Sequence, residues 1–233
     1  MQLPFFFEED MMFTSPFSLS ENSSRHIVQV LRMKEGEKIQ LTNGKGYLLT
    51  AEITKANKKS TEVTILEKLE TPQPSYKTTI AISFIKNANR FEWFLEKATE
   101  IGITDIVPII CHRTEKIHFR EERMKQILVS AMLQSRQVWL PNLTSPIKIK
   151  EFIKTAEANH KLIAHCEEKE KKELIQFTFG AASRMILIGP EGDFTSEEIE
   201  EAIQHNFIPV SLGETRLRTE TAALVAAVLL INL

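Results

Sequence analysis

The sequence predicts an α/β chain in which a small β-rich unit, residues 1–72, precedes a mostly parallel sheet with helices, residues 73–233. Three observations lead there. After residue 73, apolar runs of strand length alternate with helix-period patterns, as βα units do. Before it, two alternating runs flank Asn43-Gly44-Lys45-Gly46, a strong hairpin signal. Between the two textures, Thr71-Pro72-Gln73-Pro74 puts two prolines in four residues, which favours an extended linker.

In the first unit, 38–42 and 47–54 read as strands, 61–66 as a third strand after the polar turn 55–60, and 26–32 as a short helix. In the second, strands are expected at 79–85, 105–110, 161–165, 185–188 and 209–212. Phe91, Phe94, Leu95 and Ala98 make one apolar helical face, and Ile127, Ala131 and Gln134 recur at similar spacing on another helix. Thr195 followed by Glu198 is a capping-box pattern opening a helix through Ala202. A last helix begins near Thr219. Residues 222–231 are apolar nearly all round, so both sides of that helix need cover. A central place in the domain and a dimer interface account for this equally well.

With 42% hydrophobic and 26% charged residues, the 233-residue chain can bury a full core. A formal net charge of −2 gives no general electrostatic footprint for nucleic acid, leaving that role to local basic patches. Cys111 and Cys166 lie far apart, without the spacing of a zinc site or a secreted disulfide framework, so a reduced, cytoplasmic setting is expected. His26, His112, His118, His160, His165 and His205 show no zinc-ligand spacing, and no metal is expected. The start, MQLPFFFEED, lacks the basic n-region of a signal peptide. Residues 222–233 are too short an apolar stretch to span a bilayer.

Two strand-to-helix loops carry the chemistry. Leu187-Ile188-Gly189-Pro190-Glu191-Gly192-Asp193-Phe194 has the place where open α/β sheets put ligands, and its glycines permit close backbone approach; an ordinary turn reads the same way. It has neither the Gly-Lys-Ser/Thr ending of a Walker loop nor a GxGxxG fingerprint. The second loop, Ser211-Leu212-Gly213-Glu214-Thr215-Arg216-Leu217-Arg218-Thr219-Glu220-Thr221-Ala222, places Arg218 beside the free N–H groups of a helix start, a corner suited to an anion or a polarised carbonyl oxygen. A solvated arginine pair is the plain alternative.

IGPEGDF about twenty-five residues before LGETRLRTETAA, together with HIVQVLRM and FEWFLEKATEIGITDIVPI, resembles the RsmE family of the SPOUT superfamily. Those enzymes methylate N3 of a uridine in small-subunit (16S) ribosomal RNA. The resemblance covers nearly the whole chain. It implies a PUA-like β-barrel RNA-binding domain over 1–72 and a SPOUT methyltransferase domain over 73–233 whose C-terminal segment threads a deep trefoil knot. Nothing in the residue pattern itself points to a knot, which chains generally avoid.

The resemblance also implies a homodimer with the active site between subunits and S-adenosyl-L-methionine as cofactor. That cofactor would be held by Ala164, His165, Ile188, Gly189, Pro190, Glu191, Gly192, Leu212, Gly213, Leu217 and Thr219, mostly through backbone groups. Arg218 would stabilise the uracil anion, and Glu220 would act as base or orienting group, though a first-turn carboxylate favoured by the helix dipole explains Glu220 equally. Arg25, Arg32, Lys34, Arg113 and Arg136 would contact small-subunit ribosomal RNA or the ribosomal subunit, each alternatively a plain surface charge. Lys97 and Glu100 match the family's helix, and an exposed helical face is their plain reading.

Three departures stand out. Asp193 replaces the second glycine of the family's GPEGG, Leu133-Gln134 stands for its Glu-Gln pair, and the arginine that follows is displaced to Arg136. A SPOUT enzyme with another RNA target, and a non-catalytic RNA-binding or ribosome assembly protein, remain the alternatives.

Overall fold

The computed structural model describes residues 2–168 and 170–233. The chain separates into two compact units. One comprises residues up to Gln73 together with Met132–Leu140, the other Pro74–Ala131 with Pro141–Leu233.

The first unit is a five-stranded sheet in the order β1-β3-β4-β5-β2, formed by β1 (Phe5–Phe7), β2 (Phe17–Ser18), β3 (Lys38–Thr42), β4 (Tyr47–Lys55) and β5 (Glu62–Glu70). Alternation on β3 and β4 sends Ile39, Leu41, Leu49, Ala51 and Ile53 inward, where they pack with Phe6, Phe17, Ile27 and Val63. The β3–β4 turn forms as its residues predict. Gly44 and Gly46 have φ of +68° and +89°, and Asn43 Oδ1 accepts from Lys45 N–H at 2.9 Å. Gly46 is also required sterically, because an added Cβ would lie 2.5 Å from the Trp139 ring.

The expected helix at 26–32 begins earlier. Ser20 caps α1 (Glu21–Arg25), and the chain continues as a π-helical turn, His26–Val30, whose Leu31 N–H donates to His26 O at 2.9 Å. Arg32 then turns the chain with φ +56°. The Ser20 cap, itself held by Glu8, moves the start upstream of the apolar residues.

In the second unit every strand pairing is parallel, in the order β11-β13-β10-β12-β6-β7-β8, with β9 also pairing β7. The members are β6 (Thr78–Ser83), β7 (Asp105–Ile110), β8 (Asn142–Leu143), β9 (Ile147–Lys148), β10 (His160–Ala164), β11 (Lys172–Glu173), β12 (Arg184–Ile188) and β13 (Ile208–Ser211). All of β6 and β12 is buried, so their apolar stretches, residues 80–82 and 185–188, run on without alternation, and the polar Thr78, Thr79, Ser83 and Arg184 at their ends are buried too.

Helix α2 (Ala88–Ile101) buries Phe91, Phe94, Leu95 and Ala98, the predicted face, and ends at Gly102 with φ +94°. Helix α3 (Glu121–Gln134) buries Met124, Leu128, Ala131 and Met132; of the expected Ile127, Ala131 and Gln134, Ala131 is buried, Ile127 half-buried and Gln134 exposed. The stripe is set by the larger i, i+4 pair Met124 and Leu128. Helix α4 (Ile149–Thr155) lacks a side-chain N-cap and was not legible. Helix α5 (Ser196–Gln204) carries the complete Thr195–Glu198 capping box.

Helix α6 (Thr219–Asn232) packs against α2, β6 and β12, whereas β13, which precedes it, lies on the far side of β10. The connection at 212–218 therefore crosses back over the ends of β10 and β12. Ala223, Ala226, Ala227 and Leu230 form the buried face of α6, while Leu224 and Val225 are half-buried and Val228 is 43% exposed.

Candidate active site

Strands β10, β12 and β13 are parallel neighbours, so the segments leaving them emerge at the same sheet edge, where open α/β sheets bind ligands. After β12 the chain makes a tight turn in which Asp193 N–H donates to Pro190 O at 2.9 Å, with Asp193 at φ +64°. A Cβ on Gly189 would press on the Phe194 ring at 3.1 Å, so that glycine lets the buried phenylalanine fold back beneath the turn. After β13, Gly213 has φ +128° and open space around it; the backbone conformation, not crowding, calls for glycine there.

Two adjoining cavities lie between these segments. The first, of about 330 Å³, is walled by Ile188, Gly189, Pro190, Glu191 and Asp193 on one side and by residues 216–219 on the other. The second, of about 350 Å³, is walled by His165 and Lys171 against residues 210–217. Both share Ala164, Cys166, Arg216, Leu217 and Ala222. Their size suits a cofactor, for which sites of about 300–1,000 Å³ are usual. Their apolar side chains, small residues and turn backbone suit a flat heterocycle recognised by main-chain groups.

The structure thus brings together Ala164, His165, Ile188, Gly189, Pro190, Glu191, Leu212, Gly213, Leu217, Arg218 and Thr219. Gly192 lies off the lining. Its carbonyl accepts from Arg113 Nη1 at 2.7 Å, and Phe194 O takes a second bond from the same nitrogen at 3.2 Å. Arg113 therefore clamps the turn from behind. Glu220 does not line either cavity. Its buried carboxylate faces Arg90, with Oε1 3.5 Å from Nε, and Oε2 has no hydrogen-bond partner. Arg218 is exposed at the N-cap of α6.

Among the other basic residues, Arg25, Arg32 and Lys34 are exposed on the first unit, Arg25 paired with Glu21. Arg136 donates to Gln40 Oε1 and to Leu3 O, both at 2.8 Å, within that unit. Lys97 bonds Glu96 and Glu100 at 2.7 and 2.9 Å on one helical face.

Sequence reasoning did not assign Cys166, Lys171, Arg216 and Ala222 to the site and named Asp193 only as a departure from the family's turn; all five line the cavities. Position was the available signal for Asp193, Arg216 and Ala222, which lie in the two loops, and for Cys166, which follows His165; Lys171 offered none. It also passed over what holds the turn. Glu191 Oε1 accepts from Lys86 N–H at 3.0 Å, and Glu198 Oε1 accepts from His112 N–H at 2.7 Å while its Oε2 takes Thr195 N–H at 2.9 Å. Cys111, behind the turn, is buried; desolvation, aided by the charge of Glu198, pushes its thiol well above the usual range and leaves it inert.

Among the described residues no cluster of histidine, cysteine and carboxylate groups is arranged to hold a metal, and no helix is long and apolar enough to cross a membrane.

Comparison with known proteins agrees with this geometry. An RNA methyltransferase domain family matches residues 71–231, and an RNA methyltransferase PUA domain family matches residues 19–66. The ribosomal RNA small subunit methyltransferase E of Rickettsia conorii is 30% identical over 212 residues, spanning 89% of this chain and 85% of that protein. The protein of the same name from Buchnera aphidicola subsp. Schizaphis graminum is 30% identical over 229 residues, spanning 90% and 87%. A crystal structure from Porphyromonas gingivalis superposes with a TM-score of 0.89 at 38% identity, covering 97% of this chain and 95% of that one. The ribosomal RNA small subunit methyltransferase E of Neisseria gonorrhoeae, solved bound to S-adenosyl methionine, gives 0.85 at 29% identity, with 97% and 95% covered. The N-terminal unit is accordingly PUA-like and the C-terminal one a parallel-sheet methyltransferase domain, and the chain belongs to the RNA methyltransferases, in the family of ribosomal RNA small subunit methyltransferase E.

Proposed function

We propose that this enzyme uses S-adenosyl-L-methionine to methylate N3 of one uridine in small-subunit ribosomal RNA, acting in the cytoplasm as a homodimer with a knotted C-terminal segment. The observation that carries the reading is the meeting of Gly189 and Gly213, from turns distant in sequence, on adjoining cavities with five lining residues in common. That the Neisseria gonorrhoeae relative was solved bound to S-adenosyl methionine supports the choice of cofactor.

The cofactor supplies an electrophilic methyl group on a sulfonium. The chain supplies the rest. Backbone at Ala164, His165, residues 188–191 and 212–213 would hold the cofactor, with Leu217 and Thr219 beside it. Uracil N3 must lose its proton, which leaves negative charge on O2 and O4. Arg218, exposed at the cavity rim and at the positive end of α6, is placed to meet that charge. Glu220, turned from the cavity toward Arg90, serves as an orienting group for the start of α6. Arg32 and Lys34 offer exposed surface for phosphates beside Arg25, which is paired with Glu21, whereas the exposed Arg113 and Arg136 already donate to groups of their own units.

The knot is supported by the crossing of 212–218 over β10 and β12 before α6 packs on β6. The homodimer is supported by the half-open apolar stripe Leu224, Val225 and Val228, which a second α6 would cover. The cytoplasmic setting is supported by two free thiols.

The test is mass spectrometry of ribosomal RNA from a strain lacking the gene. One N3-methyluridine should disappear from the small subunit and return with the wild-type gene. An unchanged methylation pattern would overturn the assignment.

A further inference from the structure

Asp193 has a left-handed backbone, at φ +64°. Aspartate tolerates that region better than most residues, but glycine occupies it without cost. The side chain has a use that glycine lacks. Its Oδ1 accepts from Phe194 N–H at 2.9 Å, inside its own turn, and its Oδ2 accepts from Cys166 N–H at 2.7 Å, in the segment leaving β10. A single carboxylate thereby joins the segments after β10 and β12. Those segments face the same cavity, with Ala164 and Cys166 on one side and Gly189 and Pro190 on the other.

The geometry points to Asp193 as a positioning residue for cofactor binding, whose carboxylate fixes the spacing of the two backbone walls between which the adenosyl group is held. This rests on the S-adenosylmethionine reading above. Two features make the role geometric rather than one of charge. Both carboxylate oxygens are engaged by main-chain donors, so they are committed to the walls. The bond to Cys166 also bridges segments that the sheet itself leaves unpaired, since the β10–β12 ladder ends at Ala164 and Ile188. Charge-assisted bonds of this kind are the stronger class.

Substitutions separate the contributions. Asp193→Gly keeps the turn's conformation and removes both acceptors. Asp193→Asn tolerates the same φ and keeps one acceptor, but presents an amide N–H₂ to the other main-chain donor. The experiment is calorimetric titration of wild type and both variants with S-adenosylmethionine and with S-adenosylhomocysteine, its thioether product, which lacks the charge on sulfur, alongside amide hydrogen exchange at Cys166. For Asp193→Gly we expect about tenfold weaker binding of both ligands, faster exchange at Cys166 and an unchanged Tm. Asp193→Asn should fall between it and wild type. In turnover, KM for the cofactor should rise while KM for RNA stays constant, a split that general destabilisation does not produce. Unchanged affinity in Asp193→Gly overturns the proposal. So does loss of affinity for the sulfonium alone, which would assign the effect to charge. A wild-type chain that fails to bind S-adenosylmethionine overturns the functional reading and this one with it, whereas wild-type binding with an unaffected glycine variant overturns this one alone.

Discussion

The two walls of the cavity are held in opposite ways. The turn between β12 and α5 receives bonds from three other segments: Lys86 N–H to Glu191, the Arg113 guanidinium to the carbonyls of Gly192 and Phe194, and Cys166 N–H to Asp193. Behind it, Glu198 joins the capping box to His112. The loop between β13 and α6 has a local tie, Ser211 Oγ with Gly213 N and O at 3.3 and 3.0 Å. Its residues 213–216 and 218 are exposed, and Arg218 gives α6 no side-chain cap. Binding surface that is cross-tied keeps its shape without ligand, while surface with few buried contacts opens locally at little cost. One wall is therefore a template, and the other completes the site.

The largest effect that can break this contrast is catalytic. Arg218→Ala, in the loose wall, should lower methyl transfer by about 100- to 1,000-fold, the range for removing one donor to developing negative charge. Its Tm should match wild type by thermal unfolding, and full turnover in the variant would remove Arg218 from the mechanism. Glu198→Ala, in the tied wall, should do the reverse at the level of the fold. It loses a buried carboxylate that serves two main-chain donors, costing about 2–3 kcal/mol in urea unfolding. Ser211→Ala, its counterpart in the loose wall, should cost within about 0.5 kcal/mol. Equal losses in these two variants would erase the distinction.

The smallest effect is a pH dependence of the tied wall. At the first turn of α5, a bond from its own main-chain N–H, then the Thr195 hydroxyl, holds the Glu197 carboxyl below its usual range. A depressed folded value means the contribution is present above the unfolded carboxyl's value of about 4.3 and is lost as pH falls through the lower folded value. Thermal melts of wild type should therefore fall slightly more on acidification through that window than those of Glu197→Gln.

The same contrast explains what the sequence made legible. The βα alternation was readable because strands buried on both faces carry continuous apolar stretches, such as residues 185–188 of β12, and because Thr195 and Glu198 signal a helix start in four residues. Strands of two residues, such as β8 and β11, have no period to detect, and α4 offers no capping side chain. At the site, glycines marked the two turns, but Ala164, Cys166 and Ala222 carry no chemical signature. Arg113 and Arg136 read as surface cations because the carbonyls they bind lie far along the chain. A guanidinium's partner is decided by tertiary structure, so composition around it says little.

The all-parallel pairing of the second unit has a consequence for how the enzyme matures. No two of its strands can be joined by a tight hairpin; each pairing waits on a crossover, so ordering is dominated by long loop closures. Because the proposed binding surface is assembled from the exits of β10, β12 and β13 together, a half-built sheet would offer no half-strength site. Ligand therefore recognises the finished chain alone and adds its binding free energy to the native side of the folding equilibrium, about 2.7 kcal/mol at a hundredfold excess over Kd. Occupancy becomes a report that assembly is complete.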